Sequence, residues 1–465
     1  MQFKKILVAN RGEIAVRIFR ACRELGIETM AVYAKQEADA YFTKKADYAV
    51  QLDEKENPVQ CYLDMENIIR IAKENKVDAV HPGYGFLAEN ADFARMLRRE
   101  HIAFIGPSAE TMEVIGDKIS AKEIAKITEV PVIPGSGSAV KDYEEARAFA
   151  ESVGYPVILK AAFGGGGRGM RVIDSEEKLE KGFKRAVSEA RKAFGDGTLF
   201  VEKYLKNPKH IEVQILGDQY GNIVHLFERD CSVQRRHQKV VEIAPAVGIT
   251  QEQRMAVCRD AIKIARQAGY INAGTVEFLL DEGGSHYFIE VNPRIQVEHT
   301  VTEVVTGIDI VKAQIYIAQG CALTGQEIGI YGQESVSVRG CAIQCRVTTE
   351  DPALHFIPDI GNITEYHAGG GLGVRFDEGC CRGSEVTPFF DSLLVKVIAW
   401  GRNLKEASKR ADRALVEIQI DGVKTNKEYL RKVIACPRFQ DGSCNTGFIE
   451  ENPQLMETPG EESER

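Results

Sequence analysis

Residues 1–110 alternate short apolar runs with stretches whose apolar residues recur at helical spacing, and this alternation constrains the fold more than any other feature. The predicted strands are Lys5–Asn10, Thr29–Tyr33 and Ala79–His81, and helical patterns lie at Ile14–Leu25 and Met65–Ala72. Strand–helix–strand order requires parallel strands that are joined by crossover helices. The sequence therefore predicts an α/β protein with an N-terminal doubly wound parallel sheet.

Beyond residue 110, the composition and the predicted secondary structure change along the chain. The Pro/Gly/Ser stretch Pro131–Ser138 is typical of a linker. A small region follows, with a predicted helix at Tyr143–Ser152 and predicted strands at Pro156–Ala161, Met170–Asp174 and Thr198–Lys203. Longer strands such as Ile211–Leu216 and Ile223–Glu228 come next, and residues 336–447 are Gly-rich and strand-rich before a helical pattern begins at Leu404. Because 465 residues exceed one ordinary core, we expect domains at 1–113, 114–334 with a small lid at 135–204, and a mixed α+β domain at 335–447, followed by a disordered acidic tail at 448–465.

Charge and hydropathy exclude several classes of protein. The net charge of −9 argues against nucleic acid as the main partner, because a phosphate backbone requires a basic face. No uncharged apolar run approaches the roughly 20 residues of a membrane-spanning helix, and the N-terminus resembles neither a signal nor a transit peptide. The eleven cysteines do not form pairs at zinc-site spacing. We therefore expect a cytoplasmic protein with reduced cysteines and neither membrane nor nucleic-acid partners.

The run Gly164–Gly169 is the first chemical signal. Consecutive glycines let backbone N–H groups approach a polyphosphate without interference from Cβ atoms. No Gly-Lys-Ser/Thr follows, and the next predicted element is a strand, so the loop is neither a Walker A loop nor a dinucleotide fingerprint. Lys160 ends the preceding strand, where its ammonium could meet phosphate. The pattern indicates a phosphate-covering flap, although glycines alone are equally typical of a hairpin without a ligand.

Two carboxylates on a predicted hairpin indicate a metal site. Gly283-Gly284 lies between two apolar-alternating runs and predicts a two-residue turn, which would place Glu277 directly opposite Glu290. Like charges opposite one another destabilise a hairpin unless a cation lies between them. Asn292 shares the face of Glu290, and carboxylate and amide oxygens suit Mg²⁺ on nucleotide phosphates. The alternative is a solvent-exposed face whose acids point to water.

The segment after this hairpin has the composition of a substrate pocket. Pro293 interrupts the strand, and Arg294, Gln296, Val297 and Glu298 follow in a short loop. An ordinary polar loop is the alternative.

Taken together, these motifs resemble the biotin carboxylase family of the ATP-grasp superfamily. The resemblance covers Ile6 to about Phe448 and is carried by Val8–Ala15, His81–Leu87, Gly164–Gly169, Glu202–Leu205, His210–Gln214, Arg229–Lys239 and Glu290–His299. Phe163, where some members have another glycine, is the one departure. The segments Arg346–Pro352, Asp391–Ala399 and Gly422–Asn426 resemble the biotin carboxylase domain of pyruvate carboxylases more than that of acetyl-CoA carboxylases.

The resemblance implies a role for each matching position. ATP would be held by Lys118, Lys160, Gly165, Gly166, Gly167, Met170, Glu202, Lys203, Tyr204, Leu205, His210, Gln234 and His237, and through the metal by Glu277 and Glu290. Glu277, Glu290 and Asn292 would bind Mg²⁺ or Mn²⁺. Bicarbonate would be held by Lys239, Arg294, Gln296, Val297 and Glu298, with Glu298 as the general base. Arg346 would face biotin, and Glu298, Arg294, Arg346 and Lys239 would be the catalytic set.

The implied activity is ATP-dependent carboxylation of biotin with bicarbonate, through carboxyphosphate. Biotin would be a substrate bound to a carrier protein or domain, and a carboxyltransferase component and a homo-oligomer are the other expected partners. The chain contains no Met-Lys-Met biotin-acceptor segment, so the carrier would act in trans or belong to a longer polypeptide. The alternatives are another ATP-grasp ligase, the same half-reaction in acetyl-CoA carboxylase, and a catalytically silent nucleotide-binding regulatory subunit.

Overall fold

The computed structural model describes residues 2–161, 170–194 and 196–456. The chain divides into two compact units. The first unit contains residues 1–130, 209–278 and 290–465, and the second contains residues 131–208 and 279–289. The predicted domain boundaries stay predictions.

A five-stranded parallel sheet forms the N-terminal part of the first unit, in the order β3-β2-β1-β4-β5. Alternate residues of β1 enter two cores, because Ile6 and Val8 pack on one side of the sheet and Leu7 on the other. The predicted doubly wound parallel sheet is therefore confirmed. Its strands are β1 Lys5–Val8, β2 Glu28–Tyr33, β3 Tyr48–Gln51, β4 Ala79–His81 and β5 Ala103–Phe104, and its helices are α1 Gly12–Glu24, α2 Pro58–Cys61, α3 Met65–Glu74, α4 Ala91–Arg99, α5 Ala109–Gly116 and α6 Lys118–Ile127.

The second unit is built on a three-stranded antiparallel sheet in the order β7-β6-β8. Its elements are α7 Tyr143–Val153, β6 Val157–Ala161, β7 Met170–Ile173, α8 Glu176–Phe194 and β8 Leu199–Lys203. Leu159, Leu179 and Val201 lie in its core, where both helices cover one face of the sheet.

An eight-stranded sheet follows, in the order β13-β12-β9-β10-β11-β14-β21-β19. It spans the boundary predicted near residue 334, because β11 pairs with β14. Its elements are β9 Lys209–Gly217, β10 Ile223–Arg235, β11 Gln238–Ala244, α9 Gln251–Gln267, β12 Asn272–Leu280, β13 His286–Asn292, α10 His299–Thr306, α11 Ile310–Ala318, β14 Cys341–Thr348, β19 Val374–Glu378 and β21 Leu393–Gly401.

The two faces of this sheet differ in chemistry. Val241, Cys345 and Val397 enter an apolar core with Ala411 of helix α12. Glu242, Gln344, Arg346 and Lys396 occupy the alternate positions on the other face. The remaining elements are β15 Glu350–Asp351, β16 Ile357–Pro358, β17 Gly361–Asn362, β18 Glu365–His367, β20 Glu385–Val386, α12 Leu404–Glu417, β22 Gln419–Asp421, α13 Lys427–Ala435 and α14 Pro437–Gln440.

The turn between β12 and β13 differs from the prediction. The Gly284 N–H donates to the Asp281 carbonyl at 3.0 Å, and the Asp281 N–H donates to the Ser285 carbonyl at 2.9 Å. The loop therefore has three residues, with Gly284 at φ 86°, where a residue without Cβ is favoured. The two-residue Gly283-Gly284 turn was wrong, and the direct opposition of Glu277 and Glu290 that rested on it does not follow.

Candidate active site

Strands β9 and β10 carry a line of polar side chains through an apolar sheet. His210, Glu212 and Gln214 occupy alternate positions of β9 and therefore share one face. Glu212 lies directly opposite Arg229 of β10. The Arg229 guanidinium is fully buried and donates to Glu212 at 2.5 Å and to Gln214 at 2.9 Å. This pairing compensates the burial of both charges, because each is hydrogen-bonded to a fixed partner.

The Lys239 ammonium lies at the centre of the site. Its Nζ atom is 2.5 Å from Glu212, 2.7 Å from Glu298 and 3.0 Å from Glu277. The side chain is 13% exposed, so the cluster has one side open to solvent. Burial alone would lower the pKa of Lys239, but the three carboxylates outweigh it and raise that pKa well above its ordinary value. Lys239 is therefore a permanent cation shared by three acids.

The acids around Lys239 are ionised at neutral pH. Burial alone would raise the pKa of Glu212, yet Arg229 and Lys239 hold that pKa at about 2. Burial acts in the same way on Glu277, and Lys239 and His210 hold its pKa below its ordinary value. The site is thus a compact array of fixed charges rather than a set of neutral polar groups.

Glu298 lies between Lys239 and Arg346. Arg346 Nη2 is 3.0 Å from Glu298, while Arg346 Nε donates to Glu242 at 2.6 Å. Burial and Glu212 act to raise the pKa of Glu298, but Lys239 and Arg346 together lower it. Burial raises the pKa of Glu242 despite its bond to Arg346. Of these two acids, Glu298 is the one whose pKa is lowered, and a carboxylate that stays ionised at neutral pH is the state that a general base requires.

His210, Glu277 and Asn292 form the part of the site that could hold a metal. His210 Nε2 is 2.7 Å from Glu277 Oε2, and Asn292 Nδ2 donates to Glu277 Oε1 at 2.9 Å. Gln234 reaches the other ring nitrogen of His210 at 3.1 Å. His210, Glu212 and Glu277 offer ligand atoms within 4.8 Å of one another. Of these groups, the Glu277 carboxylate and the Asn292 amide oxygen are of the kind that Mg²⁺ accepts, so these two residues fit such an ion.

Arg294 and Gln296 connect the predicted bicarbonate loop to this array. Arg294 donates to Glu89 at 2.5 Å and to the Gln296 side chain at 3.0 Å. Gln296 Nε2 donates to Glu277 at 3.3 Å. The structure therefore brings the predicted Arg294, Gln296, Glu298 and Lys239 into one connected set of hydrogen bonds.

The second unit carries its own predicted residues. Lys160 and Glu202 form an ion pair, and Met170 is the register partner of Lys160. The Lys203 ammonium donates to the Gly154 carbonyl at 2.9 Å, and the Tyr204 N–H donates to the Pro156 carbonyl at 3.1 Å. Leu205 follows strand β8 without regular secondary structure.

For the remaining predicted residues only the position in the fold is given. Gly165, Gly166, Gly167 and the neighbouring Phe163 lie outside the described residues, as does the side chain of Lys118, which begins α6. His237 lies on an exposed turn with φ 68°. Glu290 lies on β13, two residues before Asn292.

Sequence reasoning assigned no role to several residues of the site, among them Glu212, Arg229 and Glu242. For Glu212 a signal was present, since polar residues alternate with apolar ones through His210–Gln214. For Glu242 the partner is Arg346, 104 residues away in sequence. No local pattern connects residues that far apart, because the register of non-adjacent strands is not encoded locally.

The fold and the charged array define a class of nucleotide-dependent ligase, the ATP-grasp proteins. Residues 117–326 match the family model for the carbamoyl-phosphate synthase L chain ATP-binding domain. Residues 2–112 and 344–451 match the models for the biotin carboxylase N-terminal and C-terminal domains. The chain belongs to the biotin carboxylase family.

Relatives and solved structures extend this assignment. The mitochondrial pyruvate carboxylase of Mus musculus is 54% identical over 98% of this chain, and the chain covers 38% of that protein. The biotin carboxylase subunit of pyruvate carboxylase is 49% identical, with a TM-score of 0.88 over 98% of this chain and 100% of that one. The biotin carboxylase domain dimer of the Hydrogenobacter thermophilus 2-oxoglutarate carboxylase, in complex with MgADP and bicarbonate, is 48% identical, with a TM-score of 0.89 over 98% and 99% of the two chains. The chain thus spans about two fifths of the curated relatives it matches.

The described part of the chain has no helix whose length and apolar character would let it span a lipid bilayer.

Proposed function

We propose that this chain carboxylates biotin with ATP and bicarbonate, the first half-reaction of a biotin-dependent carboxylase. The observation that carries the proposal is the ionised Glu298 carboxylate held between Lys239 and Arg346. A base and two permanent cations within 3.0 Å suit an anion that must lose a proton and then react as a nucleophile.

The chemistry follows from these charges. Glu298 accepts the bicarbonate proton, and a bicarbonate oxygen attacks the γ-phosphorus of ATP, so that the bond to ADP breaks and carboxyphosphate forms. When the incoming anion takes over a contact with Lys239, the pKa of Glu298 rises, because its own ion pair is weakened. Binding of the substrate therefore strengthens the base at the moment it is needed.

Biotin reacts in the second step. Carboxyphosphate breaks down to CO₂ and phosphate, and the phosphate takes the proton from the ureido nitrogen of biotin, which then attacks CO₂. Arg346 stabilises the negative charge on the ureido oxygen, and Arg294 steadies the anions. Arginine suits both roles, since it stays charged and presents a rigid fork of donors.

ATP and a divalent cation would complete the site. Glu277, Asn292 and Glu290 would hold Mg²⁺ or Mn²⁺, which offsets charge on the phosphates. The position of Asn292 beside Glu277, 2.9 Å from its carboxylate, supports this assignment. The nucleotide roles of Lys118, Lys160, Gly165–Gly167, Met170, Glu202–Leu205, Gln234 and His237 belong to the same proposal.

The final acceptor is proposed to be pyruvate. Its support is the identity to pyruvate carboxylases, 54% for the Mus musculus protein and 51% for that of Bacillus subtilis. Acetyl-CoA remains the alternative acceptor from the sequence. The solved 2-oxoglutarate carboxylase domain at 48% identity adds another 2-oxo acid as a candidate. A biotin carrier and a carboxyltransferase, separate or in a longer polypeptide, would be the partners.

We also propose a homo-oligomer and a cytoplasmic location. The dimer in the structure of the Hydrogenobacter thermophilus domain supports the first. The eleven free cysteines support a reducing compartment. The domain boundaries at 113, 334 and 447 and the lid at 135–204 are part of this proposal.

The test is ADP release by the full chain with Mg-ATP and bicarbonate, with and without free biotin. Wild-type turnover should depend on bicarbonate and rise with biotin, and Glu298→Gln should lower it by about 10²–10⁴-fold. Glu228→Gln is the matched control, since Glu228 is equally buried but binds Arg254 instead of the Lys239 array. ATP turnover that depends on neither bicarbonate nor biotin would favour another ATP-grasp ligase. The absence of any ATP turnover would favour a catalytically silent regulatory subunit.

A further inference from the structure

Lys396, a buried cation of the first unit, contacts the segment Arg294–Glu298, which contains predicted bicarbonate residues. Lys396 of β21 has a fully buried side chain, and its Nζ atom is 2.9 Å from Glu13 and 3.7 Å from Asp377. The same atom donates to the Val297 carbonyl at 3.1 Å. Neither the sequence motifs nor the reaction steps above give Lys396 a role.

The sheet explains why Lys396 is there. It lies directly opposite Arg346 of β14 on one side and Asp377 of β19 on the other. These three charged residues therefore share the polar face of the eight-stranded sheet. Arg346 reaches forward to the Glu298 carboxylate, and Lys396 reaches the carbonyl of the residue before it. Two adjacent strands thus hold one short segment at two points.

The three backbone carbonyls around Glu298 are held in different ways. The Gln296 carbonyl accepts from His299 Nδ1 at 2.7 Å, and the Glu298 carbonyl accepts from the Val301 N–H at 3.3 Å. Both donors lie at the start of α10 and are local. Among the described residues, the donor recorded for the Val297 carbonyl is Lys396, which is 99 positions later. The Val297 carbonyl is therefore joined to strand β21 through this ammonium.

A hydrogen bond to a backbone carbonyl restrains the whole peptide unit and not only the oxygen atom. The peptide unit is planar, and in its trans form the carbonyl and the following N–H point in opposite directions. A Val297 carbonyl bound to Lys396 therefore sets the direction of the Glu298 N–H and restrains the backbone from which the Glu298 side chain extends. A small rotation there would move the carboxylate relative to Lys239 and Arg346.

We propose that Lys396 is a positioning residue for bicarbonate: by binding the Val297 carbonyl and the Glu13 carboxylate, it fixes the peptide that presents Gln296 and Glu298. The inference rests on the proposed function. Tyr84 extends the same link, since its hydroxyl donates to Glu13. Of the predicted substrate residues, Lys396 contacts Val297, at its carbonyl, and its other recorded partners are Glu13 and Asp377. Its effect should therefore fall on bicarbonate binding and much less on ATP.

The test compares Lys396→Met with the wild type in the full chain, through the KM for bicarbonate, the KM for ATP and the midpoint of thermal unfolding. The variant should raise the bicarbonate KM about tenfold or more, as expected for loss of a hydrogen bond from a charged donor, with the ATP KM within about twofold. In the single variant, the Glu13 carboxylate would stay buried without its ammonium partner. A double variant, Lys396→Met with Glu13→Gln, removes this buried charge as well. The double variant should show the same split and keeps the test available if the single variant does not fold.

Arg254→Met is the matched control. Like Lys396, Arg254 bridges a buried glutamate and a backbone carbonyl, at 2.7 Å to Glu228 and 2.8 Å to Ala246. It should lower the unfolding midpoint without changing the bicarbonate KM. An unchanged bicarbonate KM in the Lys396 variants, or equal rises in both KM values, would overturn the proposal. Wild-type turnover that does not depend on bicarbonate would instead refute the proposed function itself.

Discussion

Among the described residues of the first unit, two clusters of buried charge can be compared by the cation at their centre. The Lys239 cluster comprises Lys239, Glu212, Glu277, Glu298 and Arg346, and one ammonium contacts three of its acids. The Arg17 cluster comprises Arg17, Glu303, Asp309, Arg375 and Asp377. In the Arg17 cluster every acid meets a guanidinium.

The difference lies in what each cation can do. Arg375 binds Asp377 through two nitrogens at 2.9 and 2.7 Å, a rigid fork that fixes one geometry. A lysine ammonium is a compact charge on a flexible stem, and it can change partners when an anion arrives. The Arg17 cluster therefore holds α1, α10 and β19 together, whereas the cation of the Lys239 cluster is of the kind that can exchange a contact.

The largest expected effect tests the structural cluster. Arg17→Met removes the guanidinium that lies 2.8 Å from Glu303 and 2.7 Å from Asp309. Breaking a buried pair by removing one partner costs about 3–5 kcal/mol, so the midpoint of urea denaturation should fall strongly. The folded fraction should keep its turnover within about twofold. A normal midpoint with turnover lost would reverse the roles assigned to the two clusters.

The corresponding change in the Lys239 cluster should act on turnover. After Lys239→Met each acid keeps another donor, because Glu212 binds Arg229, Glu277 binds His210 and Glu298 binds Arg346. The free energy of unfolding should therefore fall less than in Arg17→Met. Bicarbonate-dependent ADP release should fall by about 10²–10³-fold, the cost of losing one oriented donor at a reacting anion. A larger loss of stability than in Arg17→Met would contradict the comparison.

Arg346→Lys gives a smaller and more selective effect. Arg346 reaches Glu242 at 2.6 Å and Glu298 at 3.0 Å with different nitrogens, and a lysine cannot keep both contacts in the same geometry. Losing one charge-assisted bond should reduce the biotin-stimulated rate about tenfold. ADP release without biotin should change less. Equal losses in both assays would place Arg346 with the bicarbonate residues instead of with biotin.

The sequence predicted the parallel sheet because the periodicity of its strands and of the helices between them is local. Lys5–Asn10 and Ala79–His81 are examples, and both strands were found close to their predicted bounds. The turn at Asp281–Ser285 failed by one residue, since a three-residue loop with a positive φ at its last position competes with the two-residue turn.

Some of the charged residues could also be predicted from the sequence, whereas others could not. His210 and Gln234 belong to motifs that could be recognised, and the structure brings them within 3.1 Å. Lys396 lies in Asp391–Ala399, a segment whose resemblance to the family gave the lysine no role. Its link to Val297 depends on which strands are neighbours in the sheet. That order follows from packing of the whole unit, which no local pattern encodes.

The last prediction separates two buried glutamates by the sign of their response to acid. Burial would raise the pKa of Glu303, but Arg17 and Arg375 hold it at about 2, below its ordinary 4.5. Its contribution to stability is therefore complete above pH 4.5 and is lost as the pH falls toward 2, so Glu303→Gln should flatten the acid side of the stability curve. Burial raises the pKa of Glu228 in spite of Arg254.

For Glu228 the sign is opposite, because the folded state binds the proton more tightly than the unfolded state. The wild type should therefore lose stability as the pH rises above 4.5, and the Glu228→Gln variant should not show this loss. Urea midpoints measured from about pH 2 to about pH 7 should show the two variants departing from the wild type in opposite directions, Glu303→Gln below pH 4.5 and Glu228→Gln above it, each by less than the roughly 1.4 kcal/mol per pH unit that one proton allows. Parallel curves for the two variants would mean that Arg17 and Arg375 do not set the charge of Glu303, and the assignment of the Arg17 cluster to structure alone would lose its electrostatic basis.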